Sequence, residues 1–169
     1  MDTSYTICMS IFVKAIPARK PRTSDSQMVT YMYAVILVLF ALAQLYTFDE
    51  FLILMESFML PGGVPVSHLM AGVIVASEVL ALPFLLGLKL SKLMRVISMV
   101  LGWLVPLIWL ELALWLILMS SNINNVGFLG TVVDLTPGMW AVFVSVALAI
   151  LAGWASWGMW PFEANKKHK

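Results

Sequence analysis

Four long intervals of this chain are almost free of charge, and their spacing decides what it can fold into. No charged residue falls between Asp25 and Asp49. Only Glu78 interrupts the stretch from Glu56 to Lys89, only Glu111 that from Val96 to Met119, and nothing charged lies between Met139 and Trp160. A membrane-crossing helix needs about 20 mostly apolar residues, so the sequence predicts spans over residues 28–48, 66–88, 96–119 and 139–160. Composition agrees. With 62% hydrophobic and 11% charged residues, against about 25% charged in a soluble domain, too little polar chain remains to cover a core with water-facing side chains. The expected fold class is all-α, an integral membrane antiparallel four-helix bundle with short connections returning each helix beside its neighbour.

The basic residues give the orientation. Lys14, Arg19, Lys20 and Arg22 precede the first span, Lys89, Lys92 and Arg95 separate the second from the third, and Lys166, Lys167 and Lys169 follow the fourth. The other two connections carry Asp49, Glu50, Glu56 and Asp134 without a single Lys or Arg. Positive charge is retained on the cytoplasmic side, so both termini are expected there, in a multi-pass protein of a cell inner (plasma) membrane. Residues 1–27 then form a cytoplasmic tail, 28–160 the membrane domain and 161–169 a second, basic tail. The N-terminal apolar run Tyr5–Val13 is too short to span and has its basic cluster on the wrong side for a signal peptide. Cys8 in that run is at most a lipidation candidate.

Between the first two spans, Phe48, Phe51, Leu52, Met55, Phe58 and Met59 recur at helical spacing opposite Glu50 and Ser57, which predicts an interfacial helix. Pro61, Gly62, Gly63 and Pro65 end it. The other outer segment, Ser120 to Gly138, reads either as a re-entrant cap or as a surface loop. Pro83 and Pro106 each remove one backbone hydrogen bond within a span, leaving carbonyls that a nearby hydroxyl or a ligand can use. Ser145, Ala149 and Gly153 form a small-residue ridge for close helix packing.

Several functions are excluded by what is missing. A net charge of +1 with scattered Lys and Arg offers no basic face for nucleic acid. One cysteine supports neither a disulfide nor a dithiol centre, and two histidines without neighbouring ligands provide no metal set. The chemistry therefore rests on Glu78 and Glu111, since an acid within a span faces the bundle interior or a wet cavity by default. The bland alternative for each is a protonated carboxyl holding helices together. Counted from the cytoplasmic ends, the two acids differ in depth by roughly 9 Å, which argues against a paired dyad. Gln44, His68 and Glu111 are expected at similar depth, with Trp109 near by, as a ligand pocket open to the outer face. Trp103, Trp109 and Trp115 stand at six-residue steps, rotating by about 600° each, and so do not form one stripe.

The segments "FDEFLILMESFMLP" (Phe48 to Pro61) and "ASEVLALPFLLGLKLS" (Ala76 to Ser91), followed by a third span containing Gly102 and Trp103, resemble the DoxX/MauE-like family of small four-helix membrane proteins. The resemblance covers about Tyr31 to Leu118 and implies an accessory role in redox or protein-maturation complexes, including quinone-linked ones. Glu78 matches that family's intramembrane acid. Where family members use cysteines this chain has none, because Cys8 lies outside the matched region. The expected function is an accessory membrane subunit binding a quinone or isoprenoid lipid through Gln44, His68, Glu111 and Trp109, without a metal and not catalytic alone. The alternative is a noncatalytic scaffold or assembly factor that docks a partner through its outer loops; a small transporter ranks third. The expected partners are the bilayer and either another protein or further copies of this chain.

Overall fold

The structure, a computed structural model, describes residues 23–119, 123–157 and 159. These residues form five helices: α1 (Ser24–Tyr46), α2 (Phe48–Ser57), α3 (Gly63–Leu85), α4 (Lys92–Met119) and α5 (Met139–Ser156). All but α2 are long and apolar enough to cross a membrane. In the most apolar windows of those four helices only 33–44% of residues are buried, so the remaining leucines, valines and methionines need hydrocarbon outside them. This is the build of a multi-pass membrane protein. The N-terminal tail with Cys8, Trp160 and the basic C-terminal tail lie outside the described residues.

Each long helix packs against two others: α1 on α3 and α5, and α4 on α3 and α5. The four therefore close a ring around a shared core that includes Leu37, Ile74, Val105, Leu112 and Leu148. The helix ends differ from those expected because caps outweigh hydropathy. Thr23 accepts a hydrogen bond from Ser26 N at 3.2 Å, starting α1 at Ser24 with a polar first turn instead of at Met28. Ser91 Oγ accepts from Met94 N at 3.3 Å and draws Lys92 and Arg95 into α4. Pro65 lies inside the first turn of α3, where no intrahelical N–H is needed. Gly87, at φ 66°, ends α3 in the left-handed conformation that a glycine adopts without penalty, three residues short of the expected end of the hydrophobic run.

Two hydroxyls bond to the backbone close to the two internal prolines. Pro106 has no N–H for the carbonyl of Gly102, and Tyr33 Oη donates to that oxygen at 2.6 Å, tying α1 to α4. Near Pro83, Ser98 Oγ accepts from Phe84 N at 3.1 Å and donates to Leu80 O at 2.6 Å. The α4 serine thus stands between the donor and acceptor of what would be one α3 backbone bond. On the small-residue ridge, a Cβ added to Gly153 would come within 3.2 Å of the Trp103 ring, so part of this ridge packs inside the bundle.

In α2, Phe51 and Met55 are fully buried, as is Phe58 just after it. Met59, expected on the same face, is 82% exposed. The helix has already ended, and Met59 has φ 49°, which turns its side chain away.

Candidate functional site

The carboxyl of Glu78 is the meeting point of three structural elements. Glu78 is fully buried on α3, and its Oε1 accepts from Trp109 Nε1 of α4 at 3.3 Å and from Gln44 Nε2 of α1 at 3.2 Å. Gln44 Nε2 also donates to Phe128 O at 3.1 Å, which brings in the segment between α4 and α5. The other oxygens of the pair, Gln44 Oε1 and Glu78 Oε2, are buried without a partner.

The segment before α5 is a packed cap. Phe128 is buried among aromatic rings, its centroid 4.7 Å from that of Trp109, 5.7 Å from Phe40 and 5.9 Å from Trp140. Asn125 shapes the loop from inside: its Nδ2 donates to Gly130 O at 2.9 Å, and its Oδ1 accepts from Gly127 N at 2.9 Å. Gly130 is required by both conformation and space. Its φ is 58°, and a Cβ there would lie 3.1 Å from Gln44 Cα and 3.2 Å from Ala43 O. Thr131 Oγ1 donates to Glu50 Oε2 at 2.7 Å, joining the cap to α2.

The residues expected around one ligand are divided among three places. Gln44 and Trp109 meet Glu78 in the core. His68 pairs with Glu56 on the surface, both side chains more than a third exposed. Glu111 is exposed at the rim of a cavity of about 150 Å³ lined by Leu60, Pro61, Val66, Met70, Leu112 and Trp115. The physical reason is helical phase. Two residues turn a helix by about 200°, so Trp109 facing inward sends Glu111 outward, and Val66 and Met70 facing the cavity send His68 away from it. Depth counting fails as well. Gln44 meets Glu78 while Glu56 meets His68, so the N-terminal part of α3 runs past the end of α1 and alongside α2.

Sequence reading did not single out Tyr33, Ser98 or Phe128. For Tyr33 a signal was present in Pro106, whose missing N–H leaves the Gly102 carbonyl in need of a donor. Phe128 stands in the mixed run 126–129 between polar and glycine residues, and nothing in that pattern separates it from its apolar neighbours. Among the described residues no group of three or more His, Cys, Asp or Glu side chains could hold a metal ion. No family model matches the chain, and no curated protein or solved structure matches it either.

Proposed function

We propose that this chain is an accessory membrane subunit that seats the ring-sized head of a quinone- or isoprenoid-type molecule in the cavity beside Glu111. The observation that carries this reading is the cavity itself, about 150 Å³, with apolar walls and one acid at its rim. A dry cavity of about that size admits a benzene ring; a polyprenyl tail would lie outside it, along the lipid-facing side of the bundle. The DoxX/MauE-like resemblance around Glu78 supports the accessory role. In this reading the bundle is antiparallel with both termini cytoplasmic. The acidic connections face outward, and α2 lies at the outer membrane boundary with Asp49 and Glu50 toward water. Glu78, Gln44 and Trp109 hold the helices in place and do not touch the ligand.

The test is purification in mild detergent followed by mass spectrometry of bound lipids and proteins, comparing the native chain with Met70→Trp, which fills the cavity. A prenyl-ring lipid recovered with the native chain and lost from the variant supports the reading. Equal recovery from both refutes it. A reporter fused after Lys169 should be active only on the cytoplasmic side.

A second reading, a scaffold that docks a partner through its outer segments, is favoured by the closed core: Gln44 and Glu78 are fully buried beneath Phe128. In the cap, Val132 and Val133 are 52% and 42% exposed, and serine at both positions should then release a co-purifying protein while leaving lipid content unchanged.

A further inference from the structure

The cavity beside Glu111 presents a hydrogen-bond acceptor and no side-chain donor. Leu60, Pro61, Val66 and Leu112 have no polar side-chain atoms, and the Met70 thioether is at most a weak acceptor. Trp115 is the one wall residue with a side-chain N–H, and its Nε1 already donates to Phe58 O at 2.9 Å. Among the side chains, the carboxyl oxygens of Glu111 are the polar atoms left, at an exposed rim position. Buried Leu60 and Leu112 form the floor. Glu111 stands eight residues before Met119, the last residue of α4, about 12 Å along the helix. Leu60 and Pro61 lie in the connection from α2 to α3. A ligand therefore enters from the outer end of the bundle with its ring against apolar walls and its polar edge toward Glu111.

From this donor-acceptor balance we infer that the site selects a hydroxyl-bearing ring and discriminates against a carbonyl-only ring, such as an oxidised quinone. The inference rests on the cavity being a ligand site, as proposed above, and adds which chemical form it takes. A ring hydroxyl donates to a Glu111 carboxyl oxygen. A ring carbonyl brings a second acceptor to the same place and finds no side-chain donor there.

The experiment uses the full chain in nanodiscs and fluorine NMR titrations with 4-fluorophenol, 4-fluoroanisole and 4-fluoroacetophenone, each referenced to empty nanodiscs. The phenol is expected to bind about tenfold tighter than the anisole, as for one hydrogen bond, with the acetophenone no tighter than the anisole. Glu111→Leu should bring the phenol-to-anisole ratio close to one. Glu111→Gln, which adds an N–H, should strengthen acetophenone binding. Equal affinities for phenol and anisole in the native chain, or tightest binding of the acetophenone, overturn the donor selection. If those equal affinities also vanish in Met70→Trp, the cavity reading survives and only the selection fails. If no probe binds above the empty-nanodisc background, both fail together.

Discussion

The bond from Tyr33 to the Gly102 carbonyl is the most exposed point of the packing account, because Pro106 accounts for its strength. In an uninterrupted helix the N–H of residue 106 would donate to that carbonyl. Proline supplies none, so the Tyr33 hydroxyl, at 2.6 Å on a fully buried ring, is the donor that the oxygen has. Tyr33→Phe removes only that hydroxyl and leaves a buried carbonyl without its donor. Hydrogen bonds between membrane helices average about 0.6 kcal/mol and reach about 1.7 kcal/mol. A short, buried bond to an otherwise unpartnered acceptor belongs at the upper end, so Tyr33→Phe should cost about 1.5 kcal/mol. In a Pro106→Ala background the backbone N–H returns, and the same substitution should cost about 0.5 kcal/mol. The coupling between the two sites is then about 1 kcal/mol, large enough for a double-mutant cycle to resolve. The assay is reversible unfolding of the bicelle-reconstituted protein in SDS, followed by far-UV circular dichroism. If Tyr33→Phe costs the same with proline and with alanine at position 106, Tyr33 is not compensating for the missing N–H and the reasoning fails.

Further predictions follow from the core and the cap. Glu78→Gln keeps an acceptor for Trp109 and Gln44, so its unfolding free energy should stay within about 1 kcal/mol of the native value; Glu78→Leu leaves Trp109 Nε1 without its acceptor and Gln44 Nε2 with Phe128 O alone, and should lose about 2 kcal/mol in the same assay. Gly130→Ala combines an unfavourable backbone conformation with a clash against α1, and should lower stability by about 1–2 kcal/mol while speeding amide exchange in the cap. Ser98→Ala leaves Phe84 N and Leu80 O without their shared hydroxyl and should cost about 1 kcal/mol, with faster hydrogen exchange at Phe84. His68→Ala removes an exposed side-chain contact with Glu56 and should change the unfolding free energy by less than about 0.5 kcal/mol.

The four long helices were legible because charge-free length is a direct consequence of bilayer thickness, and no local preference competes with it. Their ends were less so: hydropathy does not see that Thr23 and Ser91 can cap, and one side-chain hydrogen bond shifts a boundary by a turn. The site was legible in its residue types and not in its grouping. Gln44, Trp109 and Glu78 were each singled out, yet their convergence depends on how far α3 extends past α1. That offset is set by α2 packing beside α3, which a count of residues from helix ends cannot reveal. Glu111 and Trp109 could have been separated from sequence alone, since residues two apart on one helix cannot share a face. The role of Phe128 depends on a loop folding back into the bundle, a long-range event that periodicity does not encode.

The aromatic cap also bears on permeation. A solute travelling down the middle of the bundle from the end that carries the cap would meet Phe128 first, held by Phe40, Trp109 and Trp140 and anchored through Gln44. Extracting a buried phenylalanine forfeits several kcal/mol, by analogy with the roughly 3–5 kcal/mol lost on truncating one to alanine. In this conformation Phe128 blocks that route.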